Sequence, residues 1–290
     1  KTLENWQNNK NAIVYLLSFW TKMINSTQLN GDSQTEALMN ETALCIAKAF
    51  VSSLTHYFES YDYSDEETLL DDDEFKPQDY SESFCFLGKA QFRQTVAYIK
   101  EQMDAYLTTL SQVGSETDYN SPLRRKLETE VAWLLIVANS LLTKTYSSKQ
   151  ADVDEVNAVL VAEVFKAMRL TDSMITYNRN KSSNKTIECK VELEYLKFFA
   201  QFKNLYISSQ YQSEHIQPLR QLLGINTLED VMGKIMQKIA LNLTSYPENT
   251  DVIDKTLDTF LLFVSSCSQS KFIASLPFTK QLMENHSNKF

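Results

Sequence analysis

Apolar residues recur along the chain at the spacing of amphipathic helices. Side chains at positions i, i+3, i+4 and i+7 share one face of an α-helix, so a stripe at this spacing predicts a helix with one buried face. Ile13, Leu17 and Ile24 belong to the first stripe. The pattern predicts helices over residues 13–24, 38–58, 92–107, 121–142, 156–170, 193–206, 231–243 and 252–264, a short helix ending at Gly224, and a last one near 278–285.

Several predicted helix ends carry residues that favour a boundary. Ser121 followed by Pro122 is typical of a helix start, because serine caps the first turn and proline fits the first helical position. Gly224 suits a helix end, since glycine readily adopts the left-handed conformation found there. Asn226 and Thr227 then restart the chain.

The order of elements predicts an all-α fold. Strand signals are nearly absent, and helices of roughly 15 to 25 residues alternate with polar connectors. Helix pairs start near Trp6, Lys89, Val153 and Thr227. Once a long acidic loop is allowed for, their spacing is close to the period of about 40–47 residues in HEAT and armadillo arrays. A compact helical bundle would give the same periodicity.

We predict that residues 1–290 form one continuous stretch of HEAT/armadillo-like repeats, a solenoid of antiparallel helix pairs. Neither end resembles a polar capping repeat, so we expect an internal part of a much longer protein. The chain shows no secretory signal pattern. It also contains no run of about 18 apolar residues, so we expect no membrane insertion.

Composition argues against an enzyme. The chain has five glycines and no G-x-G-x-x-G, G-x-x-x-x-G-K-[ST] or G-x-S-x-G motif, so the usual phosphate loops and the nucleophile elbow are missing. Three histidines are scattered, and four cysteines form no C-x-x-C pair. We therefore expect no catalytic residues, no metal site, no disulfide framework and no cofactor.

The negative charge is concentrated in one segment. Residues 59–82 hold 11 acidic side chains and one lysine, so the rest of the chain carries about +1 of the total −9. We predict an acidic loop between two helices at about 62–82. It is either a neutral insertion or a partner-contact or regulatory loop that screens or competes for a basic partner. The acidic residues concerned are Asp65, Glu66, Glu67, Asp71, Asp72, Asp73 and Glu74.

That segment lacks the turn glycine and terminal glutamate of an EF-hand, so we predict no calcium site. A body with a charge near +1 also attracts phosphates weakly, so we expect no DNA partner.

Three smaller groups of residues have both a functional and an ordinary interpretation. Arg124, Arg125 and Lys126 would suit an acidic partner, but a solvated helix start is the ordinary interpretation. Glu192, Glu194 and Tyr195 are interpreted as a solvated helix face rather than as catalytic groups. Cys45 is interpreted as an inert core residue.

Several short stretches, taken in order, resemble a known family. They span essentially all 290 residues and are similar to the middle part of the exportin-seven (Ran-binding-protein-sixteen) branch of the importin-β superfamily. The acidic segment at 62–80 departs from that resemblance, so no role for it is carried over. The stretches are Tyr15–Trp20, Ala132–Ile136, Met168–Ser173, Phe198–Ile207, Gly233–Ile235, Lys255–Leu257 and Asn285–Ser287.

The resemblance implies part of a HEAT-repeat nuclear transport receptor that shuttles between nucleus and cytoplasm. Such receptors bind the GTPase Ran in its GTP form together with cargo proteins, and they contact the Phe-Gly repeat proteins of the nuclear pore. Their principal Ran contact lies in N-terminal repeats, so no Ran or cargo residue is assigned here. The alternative is a helical-repeat scaffold for protein–protein interaction without Ran coupling, since a fold does not fix a function.

Overall fold

The computed structural model describes residues 10–30, 32–60, 78–113, 122–142, 150–179, 189–207, 216–265, 267–277 and 279–280. Every regular element within these ranges is helical, which confirms the predicted all-α helical-repeat class. The elements are α1 (Lys10–Asn30), α2 (Ser33–Ser60), α3 (Gln78–Ala90), α4 (Phe92–Val113), α5 (Pro122–Leu141), α6 (Gln150–Arg179), α7 (Lys190–Phe202), a π-helical turn (Lys203–Ile207), α8 (Gln217–Leu223), α9 (Leu228–Ser245), α10 (Thr250–Val264) and α11 (Cys267–Ser275).

Two helices were not predicted separately. The predicted acidic loop extended to residue 82, but α3 begins at Gln78. Tyr80, Phe84 and Leu87 lie on one buried face of α3. This short apolar stripe overlaps the acidic segment, so the sequence pattern was interpreted as a loop. α11 was also missed, and the helix predicted near 278–285 lies mostly outside the described residues.

The chain divides into two compact units, unit 1 over residues 1–145 and unit 2 over residues 146–290. That the whole chain is one continuous array of repeats therefore stays a prediction.

Unit 1 is built around α5. This helix packs against α2, α3 and α4, and it is buried at every position from Leu127 to Leu135. Because these buried positions, which include the polar Glu128, Thr129 and Glu130, cover the whole circumference, neighbouring residues enclose this part of the helix on all sides. An aromatic cluster joins three of these helices: the ring of Phe50 lies 5.5 Å from Phe84 and 5.6 Å from Trp133.

Unit 2 has its own aromatic core between α6 and α7. Phe165 of α6 lies about 6 Å from the rings of Phe198, Phe199 and Phe202 of α7. All four side chains are buried. Their edge-on and tilted arrangements are those that aromatic pairs prefer.

The predicted boundary between α8 and α9 is confirmed. Gly224 ends α8 in the left-handed conformation, with φ of 61°. Thr227 caps α9 through a capping box, in which its hydroxyl accepts from the Asp230 N–H and the Asp230 carboxylate accepts from the Thr227 N–H. These backbone hydrogen bonds lower the pKa of the Asp230 carboxyl.

A buried lysine joins three helices of unit 2. The Lys238 ammonium of α9 donates to Asp172 of α6 and lies 2.5 Å from a carboxylate oxygen of Glu192 of α7. The same ammonium lies 5.3 Å from the ring centroid of Tyr195. Lys238 and Glu192 are fully enclosed, whereas the Asp172 side chain keeps 25% of its surface exposed. We name Lys238, Asp172 and Glu192 the α6–α7–α9 ion cluster.

Most of the ion cluster is shielded from water, and the pKa values of its carboxyls reflect that. Burial raises the pKa of the Asp172 and Glu192 carboxyls, and the Lys238 charge offsets this only in part. Burial also raises the pKa of the Tyr195 phenol well above its usual range. Two carboxylates share one ammonium, so the cluster depends strongly on Lys238.

A second buried lysine follows α7. Lys203, the first residue of the π-helical turn, donates to the Leu262 carbonyl and lies 3.3 Å from the Ser265 hydroxyl. Both partners lie at the C-terminal end of α10, where carbonyls lack helical partners and a positive charge is favourable. Lys203 therefore attaches the end of α7 to the end of α10.

We predict opposite effects for the same substitution at two helical glycines. At Gly88 an added Cβ would lie 2.7 Å from Leu141 Cδ2 and 3.3 Å from Thr95 Cγ2, whereas at Gly233 it would meet nothing within 4 Å. Gly88→Ala should lower the free energy of unfolding by about 1–2 kcal/mol through overpacking. Gly233→Ala should raise it by about 0.5–1 kcal/mol through helix propensity. Urea denaturation measures both, and two shifts of the same sign would contradict this packing.

We predict that Lys238→Met destabilises the chain by about 3–5 kcal/mol at neutral pH, because it leaves the buried Glu192 carboxylate and the partly exposed Asp172 carboxylate without a cation. The folded-state pKa values of these carboxyls are already raised, so protonation favours the fold. The deficit relative to wild type should therefore shrink as the pH falls through the carboxyl range. Urea midpoints of the variant and of wild type at several pH values measure this stability deficit. Lys234→Met, one turn earlier on α9, is the control, and an equal effect there would refute the role of the cluster.

Candidate partner-binding surfaces

The predicted acidic contact residues cannot be placed. Asp65, Glu66, Glu67, Asp71, Asp72, Asp73 and Glu74 all lie outside the described residues, between the end of α2 and the start of α3. Their role as a partner-contact or regulatory loop stays a prediction.

The basic residues at the start of α5 are less exposed than their interpretation as a solvated helix start predicts. Arg124 is buried, and its Nε donates to Glu128 Oε1 at 2.9 Å. Arg125 and Lys126 are half-buried. The pairing one turn along the helix neutralises Arg124 inside unit 1, so the group does not present three exposed charges to a partner.

The interpretation of Glu192, Glu194 and Tyr195 as a solvated helix face was wrong. All three are buried, because α7 is covered by neighbouring helices of unit 2. Glu192 belongs to the ion cluster, and the Tyr195 hydroxyl accepts from Thr171 at 3.3 Å. Glu194 pairs with Lys197 at 2.6 Å, and burial raises its carboxyl pKa.

The interpretation of Cys45 was also wrong, since its side chain is exposed on α2. The apolar stripe of α2 points Ala43, Ala47 and Phe50 inward, and Cys45 falls between these positions on the outer side.

Helix α1 carries a row of exposed apolar side chains. Tyr15, Phe19 and Met23 recur every four residues, with exposed fractions of 75%, 53% and 38%. Ile13, Leu17 and Ile24 on the same helix are fully buried. The helix is thus apolar on two faces, one packed within unit 1 and one open. We name Tyr15, Phe19 and Met23 the α1 stripe.

The α1 stripe is supported by Trp20, which is half-buried and packs edge-on against Phe19 at 5.6 Å between ring centroids. Among the side chains that the structure describes, other large exposed apolar residues occur singly or in one pair. Rows of exposed aromatic residues are typical of protein-interaction surfaces. A helical wheel of residues 13–24 would have revealed the second apolar face from sequence alone.

Two further observations concern the described residues alone. No three His, Cys, Asp or Glu side chains among them lie close enough together to hold a metal ion. None of the described helices combines the length and the apolar character that crossing a bilayer requires.

Comparison with known proteins extends the sequence resemblance. The family model described as "Exportin-7-like, TPR domain" matches residues 57–290. Exportin-7 of Dictyostelium discoideum is 26% identical over 99% of this chain and 28% of its own length. Exportin-7-B of Xenopus laevis and Ran-binding protein 17 of Mus musculus are each 24% identical over 99% of this chain and 26% of their own length.

The chain therefore spans about a quarter of the length of these relatives. No solved structure matches it significantly. The family description names TPR repeats where the sequence pattern indicated HEAT or armadillo repeats, and both are arrays of helices stacked on their neighbours. Because the family model matches most of the chain, the protein belongs to the Exportin-7-like family.

Proposed function

We propose that this chain is one part of a nuclear transport receptor of the exportin type. In this proposal the receptor binds Ran in its GTP form together with cargo proteins and carries the cargo from nucleus to cytoplasm through the nuclear pore. The receptor would act by binding rather than by catalysis, and it would shuttle between the two compartments.

The observation that carries the proposal is the family match over residues 57–290. Relatives named as an exportin and as a Ran-binding protein align along 99% of the chain. A helical-repeat chain suits the task, because stacked helices present long surfaces and can flex while they hold a partner.

The α1 stripe suits one class of partner in particular. Phe-Gly repeats present single phenyl rings on flexible chains, and such rings bind best to aromatic and methionine side chains. Tyr15, Phe19 and Met23 offer that chemistry on a rigid helix. We place a contact for Phe-Gly repeat proteins of the pore on this stripe.

A helical-repeat scaffold without Ran coupling is the second candidate function. The same exposed stripe would serve it equally well, because apolar docking needs no nucleotide-dependent partner. Dependence on the nucleotide bound to Ran separates the two functions.

We predict that the full-length receptor binds Ran carrying a non-hydrolysable GTP analogue at least about tenfold more tightly than Ran carrying GDP, a difference of about 1.4 kcal/mol or more. Calorimetric titrations at one ionic strength measure both affinities. The 290-residue chain is measured alongside. Equal or absent binding of both forms to the full-length receptor would favour the scaffold.

We predict that Tyr15→Ser combined with Phe19→Ser weakens binding of a Gly-Phe-Gly repeat peptide by about tenfold, because the variant removes two aromatic rings from the docking surface. Stability should change by no more than about 0.5 kcal/mol, since both side chains are exposed. Leu222→Ser, which removes another exposed apolar side chain on α8, is the matched control. Unchanged peptide affinity in the double variant would remove the stripe from the proposal.

A further inference from the structure

A cleft of about 610 Å³ lies in unit 2, beside the start of α9. Its apolar side is formed by Ile225 of the α8–α9 connection, Phe272 of α11, and Leu276 just after α11. Its polar side is formed by the first turns of α9, including Glu229, Lys234 and Gln237. The cleft is largely open to solvent and more polar than apolar, so it suits a chain segment lying across it rather than an enclosed small molecule.

Gly233 lies on the wall of this cleft, inside α9. Glycine weakens a helix interior, so an internal glycine is usually explained by a neighbour that needs the space. Here an added Cβ would meet no atom within 4 Å. Gly88 shows the contrast, since Leu141 occupies the space that a side chain at this position would need. The space above Gly233 thus serves no packing contact within the described residues.

The charged side chains around the cleft differ in sign and in whether they take part in capping α9. Asp230 is engaged by the backbone N–H groups of Asn226 and Thr227, and Lys234 lies one turn further along the same helix. Glu229 is exposed and takes no part in this capping. The polar side therefore carries two carboxylates and one ammonium, a net negative charge, beside the apolar side and the open helix surface at Gly233.

We propose that this cleft binds a short extended peptide segment of a partner protein. An apolar side chain of the peptide lies against Ile225, Phe272 and Leu276, its backbone crosses α9 at Gly233, and a neighbouring lysine or arginine pairs with Glu229. Complementary charge at the rim selects the peptide, and burial of its apolar side chain adds affinity. This inference is independent of Ran coupling, because a transport receptor and a scaffold would both use such a cleft.

The probe is a fluorescent hexapeptide, Ala-Ala-Leu-Lys-Ala-Ala, titrated into the chain by fluorescence polarisation. Two control peptides test the charge and the apolar side chain separately: Ala-Ala-Leu-Glu-Ala-Ala reverses the charge, and Ala-Ala-Ser-Lys-Ala-Ala removes the apolar side chain. We expect the chain to bind the leucine–lysine probe at least tenfold more tightly than either control peptide. Equal affinities for all three would overturn the proposal.

Gly233→Leu tests the place of binding. A Cβ at this position meets no atom within 4 Å, so we expect the leucine side chain to occupy the cleft, the thermal midpoint to be no lower than in wild type, and peptide affinity to fall at least tenfold. Gly233→Ala adds a single methyl group and should reduce affinity less. Unchanged affinity in a folded Gly233→Leu variant would place the peptide elsewhere and overturn the proposal.

Glu229→Gln tests the charge contact. It should bring the affinities of the lysine and glutamate peptides together, whereas Glu248→Gln removes the same charge at an exposed position beyond the end of α9 and should leave the preference intact. Equal effects of the two variants would overturn the proposed pairing.

Sedimentation tests whether a second copy of the chain occupies the cleft. If the chain self-associates and Gly233→Leu abolishes that self-association, the occupant is a second copy and the peptide proposal is overturned.

Discussion

An amphipathic helix can bury its apolar stripe only against another helix, and this constraint organises both units of the protein. In unit 1 the constraint is strongest at α5, which is enclosed by α2, α3 and α4. In unit 2 the rings of Phe165 and Phe198 are covered by the contact of α6 with α7. Most of the stability of such helices comes from packing of their apolar faces on neighbouring helices rather than from helix propensity.

Buried charges constrain how neighbouring helices are aligned, which apolar packing alone does not do. Apolar surfaces tolerate sliding, whereas an ammonium must meet its carboxylates at hydrogen-bond distance. We interpret Lys238, with Asp172 and Glu192, as the contact that fixes the register of α6, α7 and α9. Lys203 plays a similar part between the end of α7 and the end of α10. Both lysines stabilise the fold only while their partners stay in place.

Surfaces that packing leaves open are where partners can bind. The outward face of α1 keeps Tyr15 and Phe19 exposed although its other face is fully buried. The cleft beside Gly233 stays open although glycine is unfavourable within a helix. Each feature departs from what stability alone would favour, and such departures are expected at functional sites.

The sequence by itself determined the all-α class, most helix positions, the boundary at Gly224 and Thr227, and the family, because periodicity, caps and motifs are local signals. It misassigned Glu192, Glu194 and Arg124, because the helical period gives the relative face of a residue and not the neighbour that covers it. The interpretation of Cys45 as a core residue was wrong although the period itself places it on the outer side of α2. Lys238 of α9 reaches Glu192 of α7, so a charge expected at the surface belongs to a buried cluster instead. Only the tertiary structure decided which charges are paired, which aromatic residues stay exposed, and where a helical glycine leaves open space, because each depends on contacts between residues far apart in the chain.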